Sequence, residues 1–242
     1  AHPCPGPPLR CRGMVDLGFD NPDDPATDTG YGFGHDLPDD ELFARTYLRL
    51  MEGFRPGPDW WQYALETVPG TLEVVVLDHP ELMTVFNDEQ VARRGHERLR
   101  AAGLRNLARE EPDAQAVDGV IALTGSDYTA STALVLPDMI ARVTGETDFP
   151  NGVLVSMPER QILTYHIPRD ESLHTALQTM INITLSEFDD GHKPISRHVY
   201  WWYAGEFTKI TSFAEDDTVN VHVDGPFGEV VERVLDIPVG QG

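Results

Sequence analysis

Residues 151–168, reading NGVLVSMPERQILTYHIP, constrain the fold more than any other stretch of the chain. Two apolar runs, 152–157 and 161–167, flank the polar break Pro158, Glu159 and Arg160, and short apolar runs parted by turn residues are the pattern of a buried antiparallel hairpin. A hairpin buried at mid-chain offers the segments on either side a central sheet to pack against.

Those segments carry both helical and strand patterns. Asp36 is placed to cap and Pro38 suits a first helical turn, with Leu42, Phe43, Leu50, Met51 and Phe54 on an apolar face, so a helix is predicted to about residue 52. Residues 60–68 and 71–77, parted by Pro69 and Gly70, read as strand, turn and strand, with Asp78, His79 and Pro80 ending the second. Asn87 or Asp88 opens a long predicted helix through about residue 109, with Val91, Leu99, Ala102 and Leu107 inward. A strand is predicted at 117–123, and a helix at 128–143 that Pro137 bends or starts. Beyond the hairpin, Asp170 or Ser172 starts a helix carrying Leu173, Leu177, Met180, Ile181 and Leu185. Strands follow at 198–203, 207–213 and 218–223, then a short helix at 230–235. Helices alternate with hairpins rather than with single strands, so the expected class is α+β, a mixed, largely antiparallel sheet of hairpins with helices packed on it. Residues 37–242 then make a single domain, and a 242-residue chain with 40% apolar residues can supply its core.

Residues 1–36 form an irregular, acidic and Pro-rich segment expected to be disordered, because Asp, Gly and Pro dominate it and branched apolar residues are few. Its acids Asp16, Asp20, Asp23, Asp24 and Asp28 lack the alternating ligands, central glycine and terminal glutamate of an EF-hand. Residues 1–13 hold Arg10 and Arg12 but no acid, and that shift places the expected physiological start at Met14. Cys4 and Cys11 are the only cysteines, so no cysteine pair staples the predicted core and no zinc-site spacing occurs. A reducing cytoplasm is the expected location. No apolar run reaches the roughly 18 residues that span a bilayer, and the first residues lack the apolar segment of a signal peptide.

Charge narrows the partners. The 40 acidic residues against 18 basic give a formal net charge of −22, and Lys193 and Lys209 are the only lysines. A surface this anionic repels phosphate backbones and anionic lipid, so neither nucleic acid nor membrane is an expected partner. The basic run Arg93, Arg94, Arg98, Arg100, Arg105 and Arg109 is interleaved with Glu97, Glu110 and Glu111 and reads as a solvated helix face with local ion pairs. The same acid excess can steer the chain onto a basic protein.

Four segments in order, GLRNLA at 103–108, YTAS at 128–131, GVLVSMPERQIL at 152–163 and KPISRHVYWW at 193–202, resemble the YtpQ-like bacterial domain of unknown function. In that family a helix ends in an Asn-Leu pair, an Ala-Ser pair opens the next helix, and an apolar strand closes on Pro-x-Arg-Asp. The likeness covers roughly residues 60–210, and the chain departs from it at Gln161, where the family has an acid after the arginine. The resemblance implies an α+β cytoplasmic domain and assigns no activity.

No motif specifies a reaction. Glu159 and Arg160 at the hairpin tip present a carboxylate and a guanidinium to a ligand, or satisfy each other and solvent. Asp78 and His79 follow a strand, where acid–base pairs occur, although Pro80 makes a simple turn equally natural. His166, His174, His198 and His222 lie on separate predicted elements without HExxH spacing, so no metal site is read from them. Ser126 lacks the GxSxG elbow, Ser131 packs or caps, and neither GxGxxG nor the Walker pattern occurs, so no catalytic residue and no cofactor is assigned. Tyr200, Trp201, Trp202 and Tyr203 follow one another on a predicted strand and must point alternately to opposite faces. Two enter the core, and the far pair needs a cover, either a helix of the same chain or a partner; Trp60 and Trp61 pose the same question. The function expected is therefore a non-catalytic protein-binding module of immunity or regulatory type, with Trp201, Trp202, Tyr203, Glu159 and Arg160 as contact residues and a basic protein or a second copy as partner. The alternative is a hydrolase or metal-assisted enzyme whose dispersed His, Asp and Glu converge in space.

Overall fold

The computed structural model describes residues 37–53, 61–79, 82–191 and 193–236. The expectations for residues 1–36, for Phe54, Trp60 and Pro80, and for the last residues of the chain lie outside them. Within the described residues the class is α+β and every strand pairing is antiparallel.

The first half builds a three-stranded sheet under three helices. Helix α1 (Asp39–Ala44) is short, and the chain turns at Arg45 into strand β1 (Thr46–Glu52), correcting the helix expected to residue 52. Leu, Arg, Met and Glu in TYLRLME favour a helix in isolation, but propensity is a weak prior. Pairing along all seven residues with the apolar strand β2 (Thr71–Asp78) buries Thr46, Leu48 and Leu50, and that gain outweighs it. Residues 61–70 form turns with a single bridge from Leu65 to Glu73, not the strand expected at 60–68. Strand β3 (Met83–Val85) adds to β2 and was not foreseen.

Asn87 caps helix α2 (Asp88–Arg94) in a capping box with Gln90, as its spacing predicts. The single helix expected through residue 109 is broken, because Gly95 at φ 87° ends α2 and opens α3 (His96–Leu107). Leu99, Ala102 and Leu107 are buried as expected, Leu99 and Leu107 in the cluster that includes Leu48, Val74 and Val76 of the three-stranded sheet. Buried Asn106 donates to the carbonyls of Phe43 (2.9 Å) and Thr46 (2.7 Å), tying α3 across the junction of α1 and β1.

The second half is a six-stranded sheet. Strands β4 (Asp113–Val117) and β5 (Val120–Thr124) replace the single strand expected at 117–123. Asp118 (φ 49°) and Gly119 (φ 81°) between them make the two-residue turn that an Asp-Gly pair favours. A 3-10 helix (Ala130–Val135) leads into α4 (Leu136–Thr144), with Pro137 in its first turn. Strands β6 (Val153–Ser156) and β7 (Ile162–His166) are the hairpin expected at 151–168, and they are central in the order β4-β5-β7-β6 followed by the next two strands.

Helix α5 (Ser172–Asp190) then crosses the sheet, followed by β8 (Val199–Tyr203) and β9 (Glu206–Lys209). The strand expected at 207–213 divides at Ile210, and β10 (Thr211–Phe213) pairs with β11 (Val219–Val221) as a separate ribbon before α6 (Gly225–Val234).

One face of the large sheet packs Leu123, Val155, Leu163, Tyr165 and Tyr200 against Leu136, Met139 and Ile140 of α4. The other packs Val120, Leu154, Val199 and Trp201 against Leu173, Ala176 and Met180 of α5 and Phe227 of α6. Each fully buried aliphatic side chain contributes on the order of 2 kcal/mol. Thr184 of α5 meets the hydroxyl of Ser156 (2.7 Å), which meets Thr164 (2.7 Å), so a buried polar chain also fixes α5 on the central hairpin.

Candidate functional site

The tip of the central hairpin is held from three sides. Its Pro158 carbonyl accepts from the amide of Ile195 (2.8 Å), the Arg160 carbonyl accepts from Ala130 (3.0 Å), and the Gln161 carbonyl accepts from Gly125 (3.2 Å). These bonds bring three separate segments together: the polar turn after β5, the hairpin tip, and residues 193–196 beyond α5.

Asp127 is the hub. Its carboxylate accepts from Arg160 (2.6 Å), from Gln161 (2.9 Å) and from Arg49 of β1 (3.1 Å). Burial raises the carboxyl's pKa, but the hydrogen bonds from Arg160, Gln161 and Arg49 outweigh that and hold it at about 2. The Arg49 side chain is only 3% exposed. Its own pKa is lowered, first by burial and then by Arg160, so Asp127 carries the charge balance for two guanidinium groups.

Beside this hub lies a cleft of about 390 Å³ lined by Asp127, Glu159, Arg160, Gln161, Glu187, Asp190, Gly191 and Lys193. The last turn of α5 supplies Glu187 and Asp190 and contains no basic residue. Carboxylates at a helix C-terminus add to the negative end of the backbone dipole instead of offsetting it. Neither Glu187 nor Asp190 forms an ion pair with a described residue. Arg160 is held by Asp127. Lys193 is pushed below the usual lysine range, by burial first and by Arg160 and Arg49. The cleft therefore offers the α5 carboxylates as docking groups for a ligand cation, in the company of Lys193 and of Arg160, which Asp127 holds.

Of the residues named from sequence, Glu159 and Arg160 line this cleft together. The aromatic strand lies at the far end of the hairpin, since Trp202 pairs with Val153 whereas Val199 pairs with Ser156 next to the tip. Its cover is a helix of the same chain. Trp201 is 5% exposed, packs on Phe227 of α6 at 5.7 Å and donates from Nε1 to the Asn151 carbonyl (2.9 Å), so its area is already used. Trp202 is half-buried, edge-on to Phe149. Tyr203, at 45%, is the exposed member and stacks on Trp201 at 5.1 Å.

Asp78 accepts from the Tyr128 hydroxyl (2.7 Å), Ser126 donates to Glu110 (2.5 Å) and buried Ser131 accepts from the Leu50 amide (3.0 Å). The Nδ1 atoms of His166 and His198 bond the carbonyls of Gly119 (2.7 Å) and Thr211 (2.9 Å), and the Nε2 of His222 bonds Ser212 (2.8 Å). Among the described residues no group of three or more His, Cys, Asp or Glu is placed to hold a metal ion. No described helix is long and apolar enough to cross a membrane.

Sequence reasoning passed over Asp127, Arg49, Glu187 and Asp190. The run Ser126-Asp127 after a strand was readable as a turn; Arg49 was hidden because its segment was assigned to a helix. No protein-family model, curated protein or solved structure matches this chain.

Proposed function

We propose that the chain is a non-catalytic protein-binding module, of immunity or regulatory type, that holds a basic partner through the cleft at the hairpin tip. The observation that supports this is the cleft itself, where α5 ends on Glu187 and Asp190 without a cation of its own in that turn. A lysine or arginine side chain entering there meets carboxylates and the carbonyl end of a helix. A net charge of −22 raises the encounter rate with such a partner at low salt. Tyr203 adds exposed aromatic area at the other end of the sheet. A cytoplasmic location and kinship with the YtpQ-like domain belong to the same proposal.

Panning a random peptide library on the full chain and on the Glu187→Gln/Asp190→Asn double variant tests this. The wild-type chain should enrich peptides rich in Lys and Arg, with binding that weakens as salt rises. The double variant should hold the same peptides at least tenfold more weakly. Enrichment of uncharged peptides, or equal affinity for both proteins, would remove the cleft from the interface.

A further inference from the structure

Strand β4 is exposed at all five of its residues, Asp113, Ala114, Gln115, Ala116 and Val117. It ends the six-stranded sheet, so among the described residues no strand lies beside one row of its backbone groups. The register with β5 runs unbroken from Asp113 opposite Thr124 to Val117 opposite Val120, without a bulge. With a two-residue turn closing on the Val117 and Val120 pair, hydrogen-bonded pairs alternate from there, and the amides and carbonyls of Ala114 and Ala116 point away from the sheet. Edge strands are ordinarily blunted by charge, proline or a bulge. The opposite edge, β9, carries Glu206 and Lys209, whereas Ala114, Gln115 and Ala116 are small or neutral.

The charges beside β4 select what can pair with it. Exposed Glu111, Asp113 and Asp118 bracket the neutral centre, and none is in an ion pair with a described residue. A second copy pairing about Gln115 brings two such sets together, which like-charge repulsion opposes. An extended strand with Lys or Arg near its ends meets complementary charge at both ends of β4. We infer that β4 is a docking edge on which an extended basic segment of the partner adds as a further strand, held by the backbone of Ala114 and Ala116 and oriented by Glu111, Asp113 and Asp118. This rests on the reading of a basic partner but uses a surface separate from the cleft.

The probe is a fluorescein-labelled seven-residue peptide alternating Lys with Val and Thr, titrated by anisotropy into the full chain carrying Glu187→Gln/Asp190→Asn, which takes away the cleft's hold on lysine side chains. Ala116→Pro removes an outward amide and leaves the β4–β5 ladder intact. It should weaken binding at least tenfold with thermal unfolding unchanged. Hydrogen exchange provides a second reading if that variant is unstable, because the bound peptide should protect the amides of Ala114 and Ala116 in the wild-type chain. No binding of the probe, unchanged affinity in Ala116→Pro, or unprotected amides with peptide bound would overturn the inference. So would a dimer on sizing that Ala116→Pro abolishes. Glu187→Gln/Asp190→Asn by itself should remove only the cleft's share of the affinity; if it abolishes probe binding, the cleft and not the edge holds the peptide, so failure at the edge and failure at the cleft are read separately.

Discussion

Replacing Asp127 with Asn removes one charge from the hub that joins β1, the hairpin tip and the turn after β5. Lowering the carboxyl from 3.8 to about 2 corresponds to about 2.5 kcal/mol in a dry site. Asp127 is 41% exposed, so solvent screening reduces the expected loss to about 1 kcal/mol. In a domain of this size that lowers the unfolding midpoint by about 3 °C. The folded-state pKa is depressed, so this stabilisation is complete above the unfolded value of 3.8 and is lost as pH falls through 3.8 towards 2. Urea unfolding of wild type and Asp127→Asn at pH 6, 4 and 2.5 should therefore show a gap that narrows with acid. In an Arg49→Met background the substitution should cost less, because the buried guanidinium that needs the carboxylate is gone. A gap that stays constant from pH 6 to 2.5, or the same cost in both backgrounds, would refute the charge-balance argument.

Two further outcomes follow from particular contacts. A Cβ at Gly152 (φ 72°) would meet Trp201 Nε1 and the Trp202 carbonyl, so Gly152→Ala should cost about 2–4 kcal/mol, whereas Gly145→Ala, equally left-handed at φ 79° but in open space, should cost about 1 kcal/mol. Equal urea midpoints for the two variants would mean that contact with the Trp201 ring plays no part. His198 is held near pH 4 by burial first and by Lys209, so the unfolded chain takes up a proton that the fold resists. Stability should fall as pH drops from about 6.5 towards 4, and His198→Asn should flatten that part of a urea-midpoint profile; an unflattened profile assigns the proton to another group.

Much of the fold was legible where local pattern and tertiary burial agree. The hairpin at 151–168, the Asn87 cap, the start of α4 at Pro137 and the apolar stripe of α5 were all readable, because turn chemistry and periodicity act within a few residues. The Asp118-Gly119 turn was equally readable and was missed; two positive-φ residues in sequence mark a hairpin without any tertiary information. Glu159 and Arg160 were identified as a polar tip, but their common cleft with Glu187 and Asp190 required knowing where α5 ends.

The amino-acid order by itself determined the class of fold, the central hairpin and the acidic surface, since each depends on local periodicity or on composition. Tertiary structure decided that TYLRLME is a strand, that Trp201 is spent under α6, that Arg49 and Arg160 converge on Asp127, and that the outer edge of β4 pairs with no described strand. Those outcomes depend on pairing between residues far apart in the chain, where burial of a whole face outweighs the small intrinsic preference of any single segment.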